Sequence, residues 1–157
     1  MSKIERKYMA HFINVAAPGE EPVYERLGKD LEEFSPELGA QIEKKKNILG
    51  EMSVQISGYE KTAAVDTYYA EEGTKLFERL QNIVDSGLVL EKLKTTVVEV
   101  KLWEGPDTAA ISEECYIEVK SYGGNTTGYQ IPFVLHYTGK RGSGVFDLKT
   151  NTYTEKF

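Results

Sequence analysis

The glycines of SYGGNTTGYQIPF, residues 121–133, have the spacing of a phosphate cradle, with four residues between Gly123 and Gly128 as in G-x-x-x-x-G-K-[ST]. Such a loop binds phosphate because backbone N–H groups, a following lysine and a hydroxyl converge on the anion, and a helix amino terminus completes the cradle. Here Tyr129 and Gln130 stand where the lysine and hydroxyl belong, and a strand-like alternation follows instead of a helix. The nucleotide chemistry fails on residue type and on context. Gly123, Gly124, Asn125 and Gly128 read instead as a tight turn, since glycine and asparagine tolerate positive φ. The NTT triplet at 125–127 matches a glycosylation sequon, but MSKIERKYMAHF lacks the apolar run of a secretory signal, so the triplet too reads as turn composition.

Other reactive side chains form no constellation. His11 and His136 are the only histidines, and neither has the i, i+4 partner of a helical metal site. The set Gln130, Pro132 and Val134 beside His136 offers no carboxylate or thiol. Cys115 cannot close an intrachain disulfide and reads as a half-buried strand cysteine. With 25 Asp and Glu, some pair must fall at the spacing of an acid–base couple, so no pair is singled out. The cluster DLEEF at 30–34 lacks the glycine-centred loop of a calcium binder and reads as a solvated face. The residues therefore predict no catalytic, cofactor or metal site. Two basic spots remain: Lys44, Lys45 and Lys46, and GKRGSG at 139–144, which reads as a hairpin tip. The lysine triplet could touch phosphate, pair with carboxylates of a neighbouring subunit, or keep a strand edge soluble.

The elements that must carry these residues are mostly strands. A chain of 157 residues, 40% hydrophobic and 28% charged, has the composition of one globular domain, 1–157, without linker or repeat. Its net charge of −6 argues against general nucleic-acid binding, which needs a basic surface. No apolar run approaches the roughly 18 residues of a membrane span. KYMAHFINV alternates with period two, placing Tyr8, Ala10 and Phe12 on one face and Met9, His11 and Ile13 on the other, with both faces partly covered. VYERLGKDL resumes the extended pattern after Pro18, Gly19 and Pro22. QIEKKKNILGEMSVQISGY predicts a long hairpin whose polar first arm projects, over about 37–51, while Met52, Val54 and Ile56 face inward. Over 71–86 the period changes, and Leu76, Phe77, Leu80, Ile83 and Val84 form the stripe of an amphipathic helix stopped by Gly87. KTTVVEVKLW, ECYIEVKSY, GYQIPFVLHYT, GVFDLK and NTYTEKF complete a mainly β domain with one packed helix.

The order of these runs is familiar. KKKNILGE (44–51), SGYE (57–60), VDTYYAEEG (65–73), LFERLQ (76–81), TTVVEV (95–100) and YIEVKSYGGNTTGYQIPFVLHYTG (116–139) resemble the tail tube proteins, or major tail proteins, of phages and prophages from Gram-positive bacteria. The resemblance runs from about residue 25 to the end and contains no reactive signature. It implies a β-sandwich or barrel-like core flanked by a helix, related to the tubes of type VI secretion. It also implies hexameric rings stacked into a hollow tube that conducts DNA in transit without reading its sequence and without catalysis. Implied partners are further copies of the chain, the tape-measure protein, tail terminator and baseplate initiator, and a sheath where the tail is contractile; the implied place is the virion tail, assembled in the host cytoplasm.

The residues are compatible with that role. A ring needs one patch to meet a different patch on the next copy, and joined sheet edges satisfy open backbone groups. On the strand pattern Val98, Val100 and Leu102 face the core while Glu99 and Lys101 face out; Ile117 and Val119 likewise oppose Glu118 and Lys120. Glu99, Lys101, Glu118 and Lys120 are thus the candidates for a water-filled channel, whose acidity would let DNA slide. The polar hairpin is the candidate for axial stacking, through Lys44, Lys45, Lys46, Asn47 and Ile48. The alternative is a monomeric β-barrel module that binds a small ligand or peptide in a deep apolar pocket.

Overall fold

The computed structural model describes residues 2–29, 31, 33–104 and 109–156. Its elements are β1 (Met9–Asn14), β2 (Tyr24–Leu27), β3 (Ala40–Lys46), β4 (Met52–Tyr59), β5 (Thr62–Val65), α1 (Lys75–Ser86), β6 (Lys94–Lys101), β7 (Ala109–Val119), β8 (Gly123–Asn125), β9 (Gly128–Gln130), β10 (Phe133–Asp147) and β11 (Thr152–Glu155). Six strands pair in the order β11-β10-β7-β6-β1-β2, all antiparallel, and β5 joins the other half of the outer edge of β10. The sheet curls into a half-barrel, and β3-β4 and β8-β9 form separate two-stranded ribbons. The mainly β architecture with one helix agrees with the sequence pattern.

Both faces of the central strands carry apolar residues, and both are covered. On one face Ile13, Val97, Cys115, Ile117, Phe133 and Leu135 form a core with Leu76, Leu80 and Ile83 of α1. On the other, Ala10, Phe12, Val98, Val100, Ala110 and Phe146 form a second core, in which the rings of Phe12 and Phe146 lie 4.2 Å apart. The two-faced reading of KYMAHFINV is therefore correct. Helix α1 begins at Lys75 rather than at 71 because Gly73 takes a positive φ of 88° and the Thr74 hydroxyl donates to the Glu71 carbonyl, closing a turn. It ends as its sequence predicts: Gly87 is left-handed and its N–H reaches the Ile83 carbonyl.

GKRGSG is not a hairpin tip. Strand β10 runs straight through it from Phe133 to Asp147, and the register with β7 slips once, between Tyr137 and Arg141. Gly139, at φ 87°, lies in this bulge. Gly142 and Gly144 have a different reason: a Cβ at Gly144 would collide with the Thr154 carbonyl of β11, and one at Gly142 would displace the end of the Glu155 side chain. The glycines permit close strand approach, a demand that cannot be told from a turn in one dimension. The turn reading at 123–128 does hold, since β8 and β9 form a minimal hairpin in which the Asn125 side chain accepts the Thr127 N–H at 2.8 Å. Of the acidic cluster at 30–34, Asp30 and Glu32 lie outside the described residues.

Candidate functional site

Strands β3 and β4 pair from Ala40↔Tyr59 to Lys46↔Met52 with one bulge after Gln41, and every residue of β3 is exposed. The tip is a built turn. The Asn47 carboxamide oxygen accepts the N–H groups of Leu49 and Glu51 at 2.9 and 3.0 Å, and Gly50 supplies a φ of 82°. The register places Ile42, Lys44, Lys46, Met52, Val54 and Ile56 on one face, and Glu43, Lys45, Ser53 and Gln55 on the other. Met52, Val54 and Ile56 therefore do not face inward. They are 58%, 59% and 53% exposed, and Ile48 at the tip is fully so. The projecting element is the whole hairpin, 40–59, because its one apolar row finds no second layer among the described residues to cover it. Its three lysines make no ion pair among the described residues.

The root of the hairpin is tied to the sheet. Glu37 bridges Thr62, and the Gly39 carbonyl accepts the Glu60 N–H at 3.0 Å. Gly39 is needed at φ 59°, where a Cβ would strike the Glu60 carbonyl oxygen. Immediately after it, Lys61 turns into the half-barrel, with its Nζ 2.9 Å from Glu113, 3.5 Å from Glu99 and 4.6 Å from the centre of the Tyr137 ring. His11 approaches Glu99 at 3.4 Å with Phe34 edge-on to its ring, and Arg141 approaches Glu113 at 3.5 Å. The bond with His11, assisted by the charge of Lys61 and opposed by burial, holds the Glu99 carboxyl down at about 2. Lys61 and Arg141 thus offset the carboxylates of Glu99 and Glu113, with His11 beside Glu99.

No protein-family model matches the chain, and no curated protein matches it. A solved structure does: the hybrid solid-state NMR and cryo-EM structure of the SPP1 tail tube superposes with a TM-score of 0.67, covering 92% of this chain and 81% of that one at 13% sequence identity. The chain has a tail-tube fold. At this identity the likeness is one of fold, and it agrees with the β-sandwich or barrel-like expectation for the sheet and its flanking helix.

Within the tail-tube fold the proposed channel residues separate. Glu118 and Lys120 are exposed at the end of β7, with Glu118 bonded to His136 at 2.6 Å; that bond draws its carboxyl below the usual range. Lys101 is half-buried. Glu99 does not face open water: its side chain is 16% exposed, because β6 is a central strand covered on both sides and Glu99 is drawn into the cluster with His11 and Lys61. Val98 and Val100 are buried as expected. Cys115 is fully buried beside Thr95, and burial pushes its thiol up to about 12, away from the reactive thiolate. Sequence reasoning missed Lys61, whose single charge gives no local signal. It also misread the apolar row of β4, although the absence of a matching row on β3 beyond Ile42 was visible.

Proposed function

We propose that this chain is a structural tail-tube subunit, which self-associates into stacked rings, hexameric in the resembling family, that form a hollow conduit for DNA. The observation that carries the reading is the superposition on the SPP1 tail tube over 92% of the chain. The exposed hairpin supports it physically. A monomer gains nothing from holding Ile42, Met52, Val54, Ile56 and the tip residues Ile48 and Leu49 in water, whereas a docked copy covers them. Open edges at β2 and β11 offer further backbone pairing to neighbours. On this reading Lys44, Lys45, Lys46, Asn47 and Ile48 contact the next ring, and Glu118 and Lys120 are better placed than Glu99 to line a lumen. The role is non-enzymatic, in the tail of a virion built in the bacterial cytoplasm, with a tape-measure protein inside, terminator and baseplate initiator at the ends, and a sheath in a contractile tail.

The test is assembly. Sedimentation velocity and negative-stain microscopy over rising concentration, with and without a tail initiator as seed, should give rings or tubes. Reversing all three lysines, Lys44→Glu, Lys45→Glu and Lys46→Glu, should leave the circular dichroism spectrum unchanged and abolish tubes. A wild-type chain that stays monomeric under all these conditions overturns the proposal, and tight binding of a small ligand by that monomer would favour the barrel module instead.

A further inference from the structure

We draw no further inference here: the strongest candidate, the basic groove between the Arg6–Tyr8 turn and the 28–34 loop, where the Arg6 and Arg26 guanidiniums donate to main-chain carbonyls, carries nothing, because Lys7 and Lys29 are paired with Glu5 and Glu71, Glu33 lines the same groove, and nothing in the structure shows what covers it.

Discussion

Replacing Lys61 with methionine keeps most of the aliphatic stem and removes the cation that lies over the Tyr137 ring and between two covered carboxylates. Lys61, Glu99 and Glu113 have side chains only 12%, 16% and 6% exposed. Removing one partner from a buried ion pair costs about 3–5 kcal/mol, because the charge left behind is neither solvated nor paired. His11 beside Glu99 and Arg141 beside Glu113 remain as partial partners, which puts the expected loss at the lower end, about 3 kcal/mol. For a chain of this size that lowers the melting temperature by about 6–12 °C at neutral pH. The pH dependence follows from Glu99, whose folded-state pKa of about 2 lies below its unfolded value. A carboxyl depressed in this way contributes stability that is fully present above about pH 4.3 and is lost as pH falls toward 2. In Lys61→Met the Glu99 carboxyl loses one of the groups that hold it down and protonates earlier, so the gap to wild type should narrow as pH falls from about 5 toward 2. Scanning calorimetry at a series of pH values measures both effects. A shift of less than about 1 °C at neutral pH, or a gap that does not change on acidification, would refute the claim that this cluster holds the hairpin root.

Three further outcomes follow from the same geometry. Gly39→Ala should strain the left-handed hinge by about 1–3 kcal/mol, speed hydrogen exchange of the amides over 40–59 and lower the melting temperature by about 2–12 °C. Leu80→Ala, at a fully buried position in the helix-side core, should lower global stability by about 2–5 kcal/mol in denaturant unfolding. The Cys115 thiol, pushed up to about 12 by burial, should resist a disulfide reagent at pH 8 in the folded chain and react promptly in guanidinium; prompt reaction without denaturant would show that the sheet opens there.

The helix and most strands were legible because their signals are local. The stripe from Leu76 to Val84, the stop at Gly87 and the alternation through β1, β6 and β7 each depend on residues a few positions apart. The failure of the phosphate motif was equally local, since the residues after Gly128 are wrong whatever the fold. What a face meets is not local. The apolar rows of β4 and β6 look alike in the sequence, yet Val98 and Val100 are sealed under Phe12 and Phe146 while Val54 and Ile56 stand in water. That difference depends on which strands lie alongside, and only the pairing of β6 between β1 and β7 decides it. Likewise, the charge on Glu99 implied a wet face, and the covered cluster arose only when folding brought His11 and Lys61 to it from 88 and 38 residues away. Periodicity determines which side chains share a face; the long-range closure of the sheet determines whether that face has a partner within the chain or must find one outside it.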